Sequence, residues 1–294
     1  MKAGNTASGN GFLRSDKNPY GEYGGDYDSH FNFGEKYVNT VSKILCDGIF
    51  RNKSDINDDD FLLFDIGAGT GFWSRTILQR SPGIKVIAVE PSRKMLSMKR
   101  EDTPGSLHYI NMTAQELAEH ADGVLAEYQG KADCIMFMQS AHYIHADEFQ
   151  SVMQKLIPLL KPDGHLFFQA RNMNRDWWPW PVPGSWKNNI RTSLEPLYML
   201  ADRYERQLNA MSELQVDGKW TEDIVISVPL EEYLKRLSER WIPSIMHERA
   251  IDGALLENGI AEMEAEFRRK NLDVVTWTDE FTMVSARMMK TESI

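Results

Sequence analysis

The sequence predicts an α/β protein: a doubly wound, mostly parallel sheet with helices on both faces and a C-terminal antiparallel hairpin strand. Three observations carry that prediction. Between residues 61 and 171 short β-rich runs alternate with longer amphipathic ones, the sequence form of a parallel sheet packed under helices. The first β-rich run ends in Asp65-Ile66-Gly67-Ala68-Gly69-Thr70-Gly71 and leads straight into a helical pattern. Near the C-terminus, the β-rich runs 273–277 and 281–286 are separated only by Thr278-Asp279-Glu280, which makes them a hairpin candidate.

Residues 1–18 carry Gly, Asn, Ser and Lys without periodicity and are expected to form a flexible tail. Residues 19–60 follow as an N-terminal helical segment or lid, with Val38, Val41, Ile44 and Leu45 at helical spacing in a helix over 33–50. In the core, 61–171, strands are expected at 61–66, 85–89, 107–111, 133–138 and 164–170. Helices fall between them at 71–80, 92–100, 114–119 and 146–160. In the last of these Phe149, Met153, Leu156 and Leu160 share a face, and Pro158 should tighten the final turn. Lys161-Pro162-Asp163-Gly164 then stops the helix and turns the chain into the next strand. Residues 172–250 lose the alternation and are expected as a cap of loops and helices, including a helix begun by Pro229. Residues 251–294 supply an amphipathic helix over 254–270 and the terminal strands that complete the core.

Composition narrows the function classes. The 294 residues are 42% hydrophobic and 26% charged, with eight Trp, enough to bury a sizeable core. No stretch approaches the roughly 18 uninterrupted apolar residues of a membrane span, and residues 1–10 lack an apolar leader segment, so a cytoplasmic protein without membrane contact is expected. Cys46 and Cys134 are the only cysteines, sit in apolar sequence, and read as core thiols, not as a disulfide or thiolate metal site. The net charge of −10 argues against nucleic acid as a partner, because phosphate contacts need clustered Lys and Arg. The basic run Arg268-Arg269-Lys270 ends an otherwise acidic helix and reads as a charge-complemented C-terminal turn.

The glycine-rich segment lets the backbone turn sharply at a strand end and approach a ligand closely, with N–H groups and a helix N-terminus facing a polar or anionic group. A dinucleotide fingerprint would require Gly or Ala at position 72, where this chain has Phe72. Glu90 ends the second strand, where a carboxylate can accept both hydroxyls of a ribose; nucleotide and nucleoside-sulfonium sites share that role, so Glu90 does not choose between them.

Taken in order, five segments resemble the motifs of class I S-adenosylmethionine-dependent methyltransferases. Phe64-Asp65-Ile66-Gly67-Ala68-Gly69-Thr70-Gly71 is similar to the first motif and Val86-Ile87-Ala88-Val89-Glu90-Pro91-Ser92 to the second. Asn111-Met112-Thr113-Ala114-Gln115-Glu116-Leu117 resembles the segment that borders the adenine, although an Asp is common where Thr113 stands. Asp133-Cys134-Ile135-Met136-Phe137-Met138-Gln139-Ser140-Ala141-His142-Tyr143 is similar to the fourth motif, and 160–166 to the turn into the fifth strand. The arrangement Gln139-x-x-His142 followed by an aromatic resembles the small-molecule branch that includes ubiquinone-biosynthesis and trans-aconitate methyltransferases. The resemblance implies a Rossmann-like fold, S-adenosylmethionine as cofactor with S-adenosylhomocysteine as product, and methyl transfer to an O, N or C atom of a small molecule. It implies cofactor contacts at Asp65, Gly67, Ala68, Gly69, Gly71, Glu90, Pro91, Thr113, Ala114, Gln115, Met138 and Gln139; Tyr27, from its place ahead of the core, is a further expected contact. Adenine recognition falls to Gln115 or to backbone carbonyls if Thr113 does not serve.

His142 follows the fourth strand at its C-terminal end and is the candidate general base; a packing or structural role beside the cofactor is the other reading. With His145 it lacks a third clustered ligand, so no metal is expected. Tyr20, Tyr23, Tyr27, His30 and Phe31 either close over the cofactor or pack on the surface. The segment Trp177-Trp178-Pro179-Trp180-Pro181-Val182-Pro183-Gly184-Ser185-Trp186 either walls an apolar or aromatic acceptor pocket or anchors the cap, and Arg171 either pairs with an acidic acceptor or lies in a surface ion pair. Competing functions are a nicotinamide-dependent oxidoreductase and a non-catalytic cofactor-binding regulatory protein.

Overall fold

Every β-rich run expected between residues 61 and 171 is a strand in the computed structural model, which describes residues 28, 32–51, 60–98, 105–120, 123, 125–170, 181–186, 201–241 and 253–289. These are β1 (Leu62–Ile66), β2 (Lys85–Val89), β3 (Leu107–Ile110), β4 (Ala132–Phe137) and β5 (Leu160–Ala170). With β6 (Leu214–Pro229) and β7 (Val274–Met288) they form one sheet in the order β3-β2-β1-β4-β5-β7-β6. The first five are parallel, and β7 runs antiparallel to both β5 and β6. The chain winds outward from β1 through β2 to β3, then returns to place β4 on the opposite side of β1. The β1–β4 boundary is therefore the switch point at which sheets of this kind open a crevice for ligands.

The helices are α1 (Glu35–Ile49), α2 (Phe72–Arg80), α3 (Arg93–Ser97), α4 (Ala114–Glu119), α5 (Phe149–Leu156), α6 (Ala201–Asn209), α7 (Leu230–Arg236) and α8 (Gly253–Arg269). Successive strand residues point to opposite faces, so apolar runs with no alternation, such as Leu62 to Ile66, are buried on both sides. Leu63, Val86, Met136 and Phe167 meet Val41 and Leu45 of α1 and Ile77 of α2 on one face. Phe64, Ile87, Ile135 and Phe168 meet Leu117, Phe149, Met153 and Tyr204 on the other. There Phe168 stacks on Phe137 at 4.9 Å and on Tyr204 at 5.1 Å. Cys134 lies in the core as expected, whereas Cys46 on α1 is only half-buried.

Three expectations change in detail. The helix expected over 146–160 is α5 followed by a tight 3₁₀ turn at Ile157–Leu159, because Pro158 has no N–H to continue the α-helical ladder. Lys161-Pro162-Asp163-Gly164 does not precede β5 but bulges from it: Ala132 pairs with Leu160 and Cys134 next pairs with His165. Lys161 secures the bulge by donating to Asp133 at 2.7 Å, and the same carboxylate accepts the Leu62 N–H at 2.9 Å. Finally, 273–277 and 281–286 do not pair across a turn at 278–280. They are one 15-residue strand, β7, in which Thr278, Asp279 and Glu280 pair with Val225, Ile224 and Asp223. Its antiparallel partner β6 lies inside the stretch expected as loops and helices. There Ile224, Ile226 and Val228 point inward and Val225 and Ser227 outward, but charges at 217, 219, 222 and 223 mask the alternation in the first half. The basic C-terminal turn of α8 is charge-complemented as expected, Arg268 by Glu264 and Glu231 and Lys270 by Glu266.

Beneath α1, at the sheet end remote from the switch point, Arg51 pairs with Asp217, which also accepts from Ser285 at 2.6 Å. His165 of β5 is buried against this cluster with its Nε2 unpartnered. Burial, reinforced by the Arg51 charge, lowers its pKa from 6.5 to about 4, against opposing effects of Asp217, Asp133 and the Gly48 backbone. The unfolded chain therefore takes up this proton first on acidification. The stability held by neutral His165 is complete above pH 6.5 and is lost as the pH falls towards 4, by about 3 kcal/mol in all. Urea midpoints of the wild type and His165→Gln at several pH values between 7 and 4 are expected to show a steeper acid loss in the wild type. Parallel curves would contradict this.

Candidate active site

The parallel register brings four turns to one edge of the sheet, since Ile66 pairs with Val89, Val89 with Ile110, and Asp65 with Met136. The β1–α2 turn carries Asp65, Gly67, Ala68, Gly69 and Gly71; Glu90 and Pro91 follow β2; Thr113, Ala114 and Gln115 open α4 after β3; Met138, Gln139 and His142 follow β4. All the sequence-expected site residues except Tyr27 are thus gathered at the C-terminal ends of β1 to β4. Tyr27, with the tail 1–18, Tyr20, Tyr23, His30, Phe31 and Arg171, lies outside the described residues.

The β1–α2 turn is built by left-handed backbone at Gly67, Gly69 and Gly71, with φ of 74°, 60° and 77°. Gly67 is further constrained by its neighbour: a Cβ there would stand 2.3 Å from the Cβ of Ser140. Ser140 approaches so closely because its hydroxyl donates to the Ile66 carbonyl, which pins the turn after β4 to the turn after β1. Gly67 and Ala68 donate to the Val89 carbonyl at 2.7 and 3.0 Å, linking the turn to the end of β2 as well.

Asp65 is 1% exposed; one carboxylate oxygen accepts from Ser74 at 2.6 Å and the other has no hydrogen-bond partner. Burial raises its pKa to about 7, offset in part by the Ser74 bond and reinforced by the negative charge of Glu90. Burial also raises the pKa of Glu90, although its oxygens accept the N–H groups of Ser92 and Gly69, each at 2.8 Å. Two acidic groups thus stand at adjacent strand ends, one with an unsatisfied buried oxygen.

Around them, Asn111 donates to the carbonyls of Glu90 and Pro91 at 2.9 and 2.8 Å, which holds the end of β2 in place. The Thr113 hydroxyl caps α4: it accepts the Glu116 N–H at 3.0 Å while Glu116 accepts the Thr113 N–H at 2.8 Å. Gln115 donates to Glu148 at 3.3 Å. After β4, Gln139 adopts φ 53°, a conformation uncommon for a side chain of its size. His142 sits in the short 3₁₀ turn that follows, its ring 4.2 Å from that of Tyr143. His145 faces Asp147 at 3.6 Å on the exposed side. Among the described residues no group of three or more His, Cys, Asp and Glu side chains is placed to hold a metal. Nor, among them, is any helix long and apolar enough to cross a membrane.

Several contributors escaped sequence reasoning. Ser140 and Asn111 stand inside the recognised segments, yet no spacing rule marks either as a pin. Asp28, Arg75 and Tyr109 converge on Thr70 from three separate elements: Asp28 accepts from Thr70, Arg75 donates to the Thr70 carbonyl at 2.5 Å, and Tyr109 donates to it at 3.1 Å. Of the Trp/Pro-rich segment the structure describes 181–186. Trp186 is fully buried and donates to the Leu256 carbonyl of α8 at 3.1 Å, and Pro181 accepts from Tyr233 of α7. This part anchors; Trp177, Trp178 and Trp180 lie outside the described residues.

Sheet order and clustered strand ends define a Rossmann-like α/β fold. A solved structure from Anabaena variabilis, described as a methyltransferase of an antibiotic biosynthesis pathway, shares it with a TM-score of 0.52 and 18% identity, covering 76% of this chain and 90% of that one. A structure from Galdieria sulphuraria, described as a sarcosine dimethylglycine methyltransferase, does so at 0.51 and 13%, covering 87% and 90%. Residues 64–166 match the family model described as a methyltransferase domain. Among curated proteins, the ubiquinone biosynthesis O-methyltransferase of Cronobacter sakazakii is 28% identical over 123 residues, 42% of this chain and 47% of that protein. The same-named protein of Yersinia enterocolitica is 24% identical over 153 residues, 51% and 58%. The chain spans about half the length of the curated relatives it matches.

Proposed function

We propose that this protein transfers a methyl group from S-adenosylmethionine to an O, N or C atom of a small molecule. The observation that carries the reading is the convergence of Asp65, the glycine turn, Glu90 and the β4 turn at the β1–β4 switch point. The residues fit the cofactor. The unpartnered buried oxygen of Asp65 suits a cationic N–H donor such as the α-ammonium, and Glu90 suits the ribose hydroxyls. The start of α2, entered from the glycine turn, suits the carboxylate. On this reading Pro91, Ala114, Gln115 and Met138 border the adenosine. The Thr113 backbone is a better contact than its hydroxyl, which already caps α4.

The cofactor supplies an activated methyl electrophile, so the protein's work is to place the acceptor in line and manage its proton. The names of the curated relatives make an oxygen nucleophile the first to try. For a hydroxyl, His142 is the proposed base, at the strand end where the acceptor would lie; Gln139, held in its left-handed conformation, shapes the same side. Residues 172–250 are proposed to shape the acceptor pocket. Position 72 disfavours the nicotinamide alternative: Phe72 opens α2 where a dinucleotide fingerprint places Gly or Ala.

Calorimetry with S-adenosylhomocysteine and with NAD separates the two readings. Binding of the former, with proton release near pH 7 as the ligand ammonium draws Asp65 into its ionised form, is expected; tight binding of NAD alone would sink the proposal. His142→Ala is expected to lower turnover about 100-fold with cofactor affinity little changed. Unchanged turnover with a hydroxyl acceptor would remove the base role.

A further inference from the structure

We propose that Asp28 is a positioning residue for cofactor binding, its carboxylate holding the glycine-rich turn in shape by gripping Thr70 and Arg75 together. The inference rests on the reading of that turn as the S-adenosylmethionine site.

Thr70 lies between Gly69 and Gly71, both in left-handed conformation. A turn so rich in glycine has many other conformations open to it, and its shape must be imposed by partners. Those partners meet at Thr70: its hydroxyl donates to one oxygen of Asp28, and its carbonyl accepts from Arg75 at 2.5 Å and from Tyr109 at 3.1 Å. Arg75 stands in the first turn of α2, where the helix dipole disfavours a cation, and its side chain is only 8% exposed. A buried guanidinium in that position needs an anion, and Asp28 supplies one at 2.9 Å. Asp28 therefore acts twice. It holds the Thr70 side chain directly, and by neutralising Arg75 it keeps the second arm of that guanidinium on the Thr70 carbonyl. With the carboxylate gone, Arg75 gains by swinging towards water, and the turn loses both restraints. Thr70 leads directly into the start of α2, whose first N–H groups would face the cofactor.

The test compares S-adenosylhomocysteine binding by calorimetry in the wild type, Asp28→Ala, Asp28→Asn, Thr70→Val and the double variant Asp28→Ala/Thr70→Val, with circular dichroism and melting temperature for each. Asp28→Ala is expected to weaken binding about ten-fold or more, and the double variant to bind no worse than Asp28→Ala alone. Asp28→Asn, nearly isosteric and able to accept from Thr70 but not to pair with Arg75, falls between and serves if the alanine variant fails to fold. A purely structural Asp28 would lower the melting temperature and leave the dissociation constant of the folded protein unchanged, which would overturn the proposal; so would additive losses in the double variant. A wild type that does not bind S-adenosylhomocysteine would remove the cofactor reading itself, an outcome distinct from a wild type and Asp28→Ala that bind equally well.

Discussion

Gly67→Ala is expected to weaken S-adenosylhomocysteine binding about 100-fold, the free energy expected of a strained left-handed residue at a functional turn. Two effects act together. An alanine at φ 74° is strained wherever it stands, and here its Cβ would lie 2.3 Å from that of Ser140. Neither side can give way freely, because Ser140 is held against β1 by its bond to the Ile66 carbonyl, while Gly67 is held against β2 through the Val89 carbonyl. The displacement would pass into the turns after β1 and β4, which the proposed function assigns to donor and acceptor. Gly67→Ala/Ser140→Gly tests this origin. Removing the opposing Cβ is expected to restore part of the affinity, leaving the backbone strain and the loss of the Ser140 bond to the Ile66 carbonyl, and a Gly67→Ala protein that binds like the wild type would refute the account.

Trp186→Ala is expected to destabilise the fold by about 3–5 kcal/mol, measured from urea unfolding. The side chain is fully buried, its ring seated on α8 so closely that a Cβ at Gly259 would fall 2.4 Å from its Nε1, and that nitrogen donates to the Leu256 carbonyl. Truncation would leave a large cavity and remove the hydrogen bond that ties residue 186 to α8. Trp186→Phe keeps most of the volume and loses the hydrogen bond, so a smaller cost is expected, about 1–2 kcal/mol. A loss below about 1 kcal/mol for the alanine variant would mean that α8 packs without this anchor. The two substitutions differ in what they damage: one strikes the crevice at the switch point, the other the joint between residues 181–186 and the C-terminal helix.

How much of this was legible in the sequence follows the range of the forces involved. The strands from β1 to β5 and the turns at their ends were readable because each depends on near neighbours in the chain. The apolar run Leu62 to Ile66 needs burial on both faces, the turn beyond it needs left-handed residues, and Thr113 and Glu116 cap α4 three residues apart. Strand β6 was not readable, since its alternation is interrupted by Asp217, Lys219, Glu222 and Asp223. Two of these charges are answered by residues elsewhere in the chain, and Glu222 and Asp223 lie along an exposed stretch: Asp217 meets Arg51 and Ser285, and Lys219 meets Asp202 and Glu205.

The site divides in the same way. The glycine run was sufficient by itself to predict a sharp turn at a strand end and a ligand beside it, since glycine's freedom at positive φ is a local property. What holds that turn in one shape was decided only by tertiary structure. Ser140 reaches it from the far side of the switch point and Tyr109 from β3, and Asp28 reaches it across 42 residues of chain. A side chain's partner depends on where the sheet places it, and nothing in the residues around Gly67 to Gly71 encodes which distant carboxylate or hydroxyl arrives there.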